Sequence, residues 1–468
     1  MQAEKVFCVH NSRLVDKDID CHGAIIFDKK IIAVLNGNFT LAELSKAASA
    51  LCKLPVHQIE FIDAQGYIVQ PAFIDMHAHF RYPGQTEKED LQTGLSAAVA
   101  GGFGTLVLMP NTQPVISSAT EAFEINKTAA KYNLSQIYQS VSLTQNFDGK
   151  TTSHLDEISV RDFDKDSLNT ILLATEDGHD VDSAFTMLDA MKKCSQKGII
   201  VSCHCEDISL AAEAKLLRQQ ALELLNNKEK KQDAEEKAYK FLQEANKLLA
   251  LAEDTATLRN LELAAAAGCK IHIAHVSTAE SIALIQRAKA KGQQVSCEVT
   301  PHHLSLSVKN YDSALRHLVN PPLRFESDRQ ALIQALQDGT ADVIATDHAP
   351  HTLQDKANGA PGFSGLETAY ALCNSALVQT GYISASKLSA LMSYNPARLL
   401  GLDSAPVLKG CLSPGYSADL TICNPKQEWT VAGQNFCSKG KYSPIEGRIL
   451  QGKVCRVFLN GKQVFFAK

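Results

Sequence analysis

A parallel (β/α)8 barrel of the TIM type, carrying a small β domain built from both chain termini, is the α/β fold this sequence predicts. Three observations predict it. Eight short β-rich runs alternate with helix-like segments between about Phe73 and Asp347, the pattern of a parallel sheet with crossover helices. The early runs are mostly continuous apolar stretches, as strands buried on both faces require. Polar residues gather at the C-terminal ends of the runs, the face on which this architecture builds its sites.

Taken in order, residues 1–65 hold β-like pieces such as "KVFCVH" and "AIIFDKKIIAVL". Residues 405–468 hold "ADLTICNP" and "GKVCRVFLNGKQVFF", the second with an Asn460-Gly461 turn signal. Both flanks are β-rich, so they are expected to pack as one small domain beside a barrel spanning 66–404. The barrel runs are "FIDMHAH" (73–79), "TLVLM" (105–109), "QIYQSVS" (136–142) and "NTILLAT" (169–175), followed by "IIVSCH" (199–204), "IHIAHVS" (271–277), "QVSCEVT" (294–300) and "DVIATD" (342–347). Between the fifth and sixth, residues 216–268 are rich in Ala, Leu, Glu, Lys and Gln with apolar residues at helical spacing, which predicts two or more helices. The charged run "NNKEKKQDAEEK" inside it reads as a solvated helix face or turn.

Composition narrows the function. The 468 residues are 45% hydrophobic and 21% charged, ordinary for a globular enzyme, with length for one large domain and a smaller one. A formal net charge of -5 offers no cationic footprint for nucleic acid or an anionic membrane, so a small-molecule substrate is expected. The 13 cysteines are scattered without a C-x-x-C pair, which suits a reducing, cytoplasmic compartment. The N-terminal stretch lacks the apolar core of a secretory signal, and nowhere do 18 apolar residues run together.

The chemistry sits at the run ends. His77 and His79 in "HAH" are two apart on a strand, so both imidazoles face one way from one rigid element. His204 closes the fifth run, His275 ends the apolar part of the sixth, Asp347 closes the eighth, and Asp177 follows the fourth. Four histidines and two aspartates suit one or two zinc-like divalent ions, with one carboxylate able to bridge. Such a centre activates water and polarises a carbonyl, which points to hydrolysis or its reverse, with Asp347 as the proton shuttle. Asp75 reads equally as a carboxylate orienting a ligand imidazole or as a structural hydrogen-bonding group. Arg81, Asn111, Asn320 and His351 lie on the same rim. An arginine there grips a carboxylate through two parallel bonds, which implies an anionic substrate. Pro361-Gly362, in a glycine-rich loop without a phosphate-binding pattern, reads as a backbone contact to substrate or as a plain turn. His302 and His303 are expected to be structural or to support the site from behind.

These residues also carry a resemblance. "DMHAHFRYPG", "KEDLQTGLSAAVAGGFGTLVLMPNTQPV", "EVTPHHL", "VNPPLR" and "IATDHAPHTLQDK" together resemble the class I dihydroorotases of the amidohydrolase superfamily, over about residues 65–400, and the terminal segments look familial too. The resemblance implies zinc-dependent, reversible cyclisation of N-carbamoyl-L-aspartate to L-dihydroorotate in pyrimidine biosynthesis. It makes His77, His79 and Asp347 ligands of one zinc, His204 and His275 ligands of the other, and Asp177 the bridge. It gives Arg81, Asn111 and His351 the substrate carboxylate, and Asn320 with the backbone of Pro361, Gly362 and Phe363 the ring. It also implies a homo-oligomer associated with aspartate carbamoyltransferase. Two departures stand out. Related hydantoinases, and some dihydroorotases, bridge their metals with a carboxylated lysine on the fourth strand, where "LNTILLATEDG" has none, and the helical stretch after His204 is expanded. Two alternatives carry other outcomes: an allantoinase- or hydantoinase-type cyclic amidohydrolase, disfavoured by the missing lysine and by "FRYPG" and "MPNT", and a catalytically silent dihydroorotase-like assembly subunit, disfavoured by the full set of six ligands.

Overall fold

A computed structural model describes residues 5–158, 168–226, 231–310 and 317–467. The chain begins in strands β1 (Val6–Val15), β2 (Asp20–Phe27) and β3 (Ile31–Asn36), passes through helix α1 (Leu41–Cys52), and adds β4 (Ile59–Asp63) and β5 (Ile68–Pro71). These pair with three strands from the far end of the chain, numbered last below, in an eight-stranded sheet. The sheet draws in Ile68–Pro71, beyond the expected limit of residue 65, because β5 pairs on both sides, parallel with β1 and antiparallel with the returning C-terminal strand. Phe7, Phe27 and Phe458 fill its core with ring centroids 5.2–5.4 Å apart. Burying each such ring is worth roughly 2 kcal/mol, so three of them weld the two ends of the chain together.

The barrel strands are β6 (Phe73–Ala78), β7 (Phe103–Leu108), β8 (Gln136–Gln139), β9 (Val141–Ser142), β10 (Leu173–Thr175), β11 (Ile200–Cys203), β12 (Ile271–Ile273), β13 (Val295–Val299) and β14 (Val343–Ile344). All neighbouring pairs are parallel, β6–β7–β8 in one arc and β9 through β14 in the other. The third run is split at Ser140, whose N–H and hydroxyl both bond the Leu108 carbonyl, so its two halves pair with different neighbours. A parallel bridge between Ala78 and His348 joins the last strand position to the first.

Several strands end sooner than their apolar runs. The sixth stops at Ile273 and the eighth at Ile344, and just beyond them His275 and Asp347 take φ of 32° and 47°. Left-handed backbone at non-glycine residues is uncommon and clusters where a fold is bent to present functional groups. Here it turns each ligand out of the sheet.

Crossover helices surround the strands: α2 (Leu91–Ala100), α3 (Ala119–Ala130), α4 (Ala184–Lys197), α5 (Ile208–Asn226), α6 (Lys231–Ala267), α7 (Ala279–Ala290), α8 (Pro301–Ser305) and α9 (Glu326–Asp338). Asp90 caps α2 in a reciprocal box with Thr93, and Thr300 caps α8 with Pro301 in its first turn. As expected, 216–268 forms two helices, α5 and α6. Residues 227–230 of the charged run lie outside the described residues, and the remainder begins α6, where Glu236 and Lys240 form an exposed pair.

The C-terminal strands β15 (Leu420–Thr430), β16 (Ile449–Leu459) and β17 (Lys462–Phe466) complete the terminal sheet. The connection between β15 and β16 reaches the barrel rim, where Ser438 Oγ donates to Glu89 Oε2 at 2.5 Å and Ser364 Oγ donates to the Gly440 carbonyl at 2.7 Å. Glu89 also faces His348, next to Asp347 in sequence, at 3.4 Å.

Candidate metal centre

The six expected ligands converge at the C-terminal rim, and all are buried. His77 Nε2 lies 3.3 Å from Asp177 Oδ1 and 3.6 Å from Asp347 Oδ1, while His79 Nε2 lies 3.2 Å from Asp347 Oδ1 and 3.6 Å from Asp177 Oδ2. His204 Nδ1 is 3.6 Å from Asp177 Oδ1 and 2.8 Å from His275 Nε2. Two ligand groups result, His77–His79–Asp347 and His77–Asp177–His275, each with ligand atoms within 4.8 Å of one another. His77 belongs to both.

This donor set fits a metal. A tetrahedral zinc with bonds of about 2.1 Å holds its ligand atoms about 3.4 Å apart, close to most of the separations observed. His77 Nε2 is buried and has no hydrogen-bond partner, although two carboxylates flank it. An imidazole nitrogen left without a hydrogen bond between two carboxylates is a position that a cation fits.

Charge in the pocket is split between rings and carboxylates: burial lowers His77 and His204, but Glu298 and Asp177 hold His77 well above its ordinary value and Asp177 raises His204 to about 10. Burial pushes the Asp347 carboxyl up, but His77 and His79 outweigh it and bring it down to about 2. Asp177 is likewise raised by burial and drawn well below the carboxylate range by His77 and His204. Burial and the neighbouring His204 and His77 drive His275 down to about 3, which leaves it neutral, the form that ligates. The anionic character of the pocket is concentrated on Asp177, Asp347 and Glu298.

Glu298 was not singled out from sequence. It sits on β13 in "SCEVT", where its Oε1 receives His77 Nδ1 at 2.6 Å and the His275 backbone N–H at 3.1 Å, while Oε2 receives His272 Nε2 at 3.0 Å. One carboxylate therefore sets the ring direction of one expected ligand and the backbone of another. The signal was a lone charge inside an apolar strand, where an unpaired carboxylate is costly. Of the two roles open to Asp75, the observed one is structural: it accepts from Thr346 N at 3.0 Å, Thr346 Oγ1 at 2.5 Å and His77 N at 3.2 Å, tying the eighth strand to the first.

The residues expected to hold substrate lie in segments outside the barrel strands and helices. Arg81, itself left-handed at φ 55°, donates from Nη2 to His351 Nε2 at 3.3 Å and from Nε to the Pro350 carbonyl at 3.3 Å. Burial and the Arg81 charge push His351 down to about 3, so its ring is neutral and accepts. Asn111 bridges two expected ligands: Oδ1 accepts from His79 Nδ1 at 2.9 Å and Nδ2 donates to Asp177 Oδ2 at 3.0 Å. Much of its hydrogen-bonding capacity is thus spent on the centre itself. Asn320 Oδ1 accepts from Arg218 on α5 at 2.6 Å. The Gly362 N–H donates to the Leu318 carbonyl at 2.9 Å, and a Cβ at Gly362, where φ is 115°, would meet the Ala349 carbonyl at 2.7 Å. Phe363 stacks edge-on to His302 at 5.0 Å, and Pro361 is exposed. His303 bonds Thr300 and the Pro321 carbonyl, a structural role, whereas His302 Nε2 is buried without a partner.

A sequence model of the amidohydrolase family matches residues 68–464. The chain belongs to the amidohydrolase family, and within it groups with the dihydroorotases. It is 35% identical over 454 residues to the dihydroorotase of Clostridium botulinum, covering 97% of this chain and 98% of that one. It is 38% identical to the dihydroorotase of Caldanaerobacter subterraneus over 86% and 87% of the two chains, and 35% identical to that of Aquifex aeolicus over 92% and 96%. Among solved structures, the L-hydantoinase of Arthrobacter aurescens superposes with a TM-score of 0.77 at 23% identity, covering 98% and 95% of the two chains. The dihydropyrimidinase of Brevibacillus agri gives 0.78 at 22% over the same shares. At such identity these two structures establish the fold alone.

Proposed function

We propose that this chain is a dihydroorotase, interconverting N-carbamoyl-L-aspartate and L-dihydroorotate with one or two zinc ions held by His77, His79, Asp177, His204, His275 and Asp347. The observation that carries the reading is the position of Asp177. Its two oxygens lie 3.3–3.6 Å from nitrogens of His77, His79 and His204, which supports Asp177 as the carboxylate that would be shared if two ions were held. The fourth strand has no lysine to take that place. Identities of 35–38% to proteins named dihydroorotase, over 86–97% of the chain, support the same substrate.

When bound, a divalent metal activates water and polarises the ring carbonyl. The residues of the chain do the rest. In the hydrolytic direction water adds to the ring amide carbon, the carbon–nitrogen bond breaks, the nitrogen gains one proton of the water, and the carbon becomes a carboxylate of the opened product as the second proton passes to solvent. Asp347 takes the proton from the water and delivers it to the departing nitrogen; ring closure reverses each step. Glu298 fixes the His77 ring, and Asn111 holds His79 and Asp177 in register, so the centre needs little rearrangement during turnover. Arg81 offers its guanidinium to the substrate carboxylate, and neutral His351 orients it without competing charge. Asn320 and the 361–363 backbone face the ring.

All 13 cysteines are free, which supports a cytoplasmic enzyme, and among the described residues no helix is long and apolar enough to cross a membrane. A homo-oligomer associated with aspartate carbamoyltransferase belongs to the same proposal, and sedimentation of the chain alone and with that enzyme tests it. The functional test is a ring panel. Turnover of L-dihydroorotate with none of hydantoin or allantoin is expected; hydrolysis of either of those rings without dihydroorotate turnover would overturn the assignment.

A further inference from the structure

The helical pair between the fifth and sixth barrel strands has no part in the chemistry above, yet it touches the substrate wall at several points. On α5, Arg218 donates from Nη1 to Asn320 Oδ1 at 2.6 Å and from Nη2 to the Val319 carbonyl at 3.4 Å. Leu222, one turn further along the same face, fills the space beside Gly359: a Cβ there would lie 2.4 Å from Leu222 Cδ1. The two loops that α5 meets are one unit. Lys356 Nζ donates to the carbonyls of Leu318, Ala360 and Gly362 at 3.1, 2.7 and 2.9 Å. Behind them α6 anchors the same stretch of chain, with Asn246 Nδ2 donating to the Leu323 carbonyl at 2.9 Å and Arg324 meeting Glu253 at 3.1 Å.

The Arg218–Asn320 contact has a chemical consequence. A guanidinium only donates, and a carboxamide accepts only through its oxygen, so Arg218 permits one orientation of the Asn320 amide. The oxygen is held toward α5, which leaves the NH2 end as the group a ligand beside Asn320 would meet. Without the arginine the amide turns at little cost and presents either end.

Resting on the reading that Asn320 faces the substrate ring, we propose that Arg218 is a positioning residue that makes Asn320 an obligate donor, so that the wall selects a ring edge bearing a carbonyl oxygen. The expanded helical segment thereby helps set substrate specificity while the metal centre is left to the barrel strands.

The test uses the full chain loaded with zinc, with kcat, KM for L-dihydroorotate, metal content and thermal midpoint measured for the wild type, Arg218→Ala, Arg218→Lys, Asn320→Ala and the double variant. Arg218→Ala is expected to raise KM about 10-fold, the worth of one charge-assisted hydrogen bond, with kcat within about 3-fold and metal content unchanged. Arg218→Lys recovers part of the loss, and in the Asn320→Ala background Arg218→Ala adds nothing, because it acts only through that amide. Should Arg218→Ala fail to fold, Arg218→Gln carries the same cycle. An unchanged KM, an equal loss with and without Asn320, or a fall in kcat that tracks lost metal each overturns the proposal while leaving an active wild type and its functional assignment intact. A wild type without dihydroorotate turnover overturns the functional reading and this inference together.

Discussion

The expected metal ligands and the residues proposed to hold substrate are braced by different parts of the chain. On the metal side, every expected ligand lies within a few residues of a barrel strand end, and Glu298, the carboxylate that aims His77, lies on β13, while Asp75 on β6 ties the first strand to the eighth. On the substrate side, Arg81, Asn320, His351 and the 361–363 backbone lie on loops. Those loops are braced by Arg218 on α5, by Lys356 on the short helix Leu353–Ala357, and by Ser438 from the terminal segment by way of Glu89 and His348. Strands fix position to within a fraction of an ångström, as a metal demands, whereas loops can be retuned for a different ring without disturbing the ligands. Damage on the two sides should therefore read out differently, in turnover and metal affinity on one and in KM and stability on the other.

The largest effect belongs to Asp347. Asp347→Asn is expected to cost at least ~10³-fold in turnover, the scale of a lost general acid and base, with the circular dichroism spectrum unchanged. Retained turnover would place the proton transfer elsewhere. Glu298→Gln comes next, with a weakening of zinc affinity of ~10–100-fold in competition against a chelator, as removal of a ligand-orienting carboxylate does. A change confined to KM would erase the contrast between the two sides.

Lys356 tests the wall. It is only 3% exposed, and burial together with nearby Arg218 pushes its ammonium down to about 7. An unfolded chain keeps lysine charged to about pH 10.4, so between pH 7 and that value the unfolded state holds more protons and this group's share of stability rises with pH. Denaturant midpoints should show the wild type gaining on Lys356→Met by roughly 2 kcal/mol from pH 7 to 9. Lys356→Met should also raise KM while zinc content stays whole, because three loop carbonyls lose their donor. A pH-independent difference would mean that burial does not depress the Lys356 amine in the folded chain. The smallest effect is at the solvent face of α6, where Lys240 and Glu236 pair at 2.8 Å with both side chains 72% exposed. Lys240→Ala should leave turnover and thermal midpoint unchanged within error.

The same contrast governs what was legible in the sequence. The ligands could be read because a barrel puts strand ends in one place, so six residues far apart in the chain were bound to meet. Apolar runs located the strands but overestimated their lengths at the sixth and eighth, since His275 and Asp347 leave the sheet through left-handed backbone that hydrophobicity does not encode. Ser140 divides the third run by bonding back to Leu108, a local competition that also leaves no mark in an apolar pattern. Glu298 had a readable signal in its apolar setting. Arg218 had none, for an arginine on a helix-forming stretch looks like any solvated residue until the fold brings Asn320 to it. Asn111 was placed on the right rim, but its amide proved to join His79 to Asp177, a partnership only the three-dimensional arrangement discloses.

The most direct measurement strips the metal with a chelator and returns zinc in steps while L-dihydroorotate turnover is followed against bound metal per chain. Six converging ligands, Asp177 among them, should give a protein that is folded but inactive without metal and recovers turnover in proportion to zinc bound, reaching a plateau at no more than two ions per chain. Full turnover in the stripped protein, or a zinc-saturated protein that leaves dihydroorotate untouched, would contradict it.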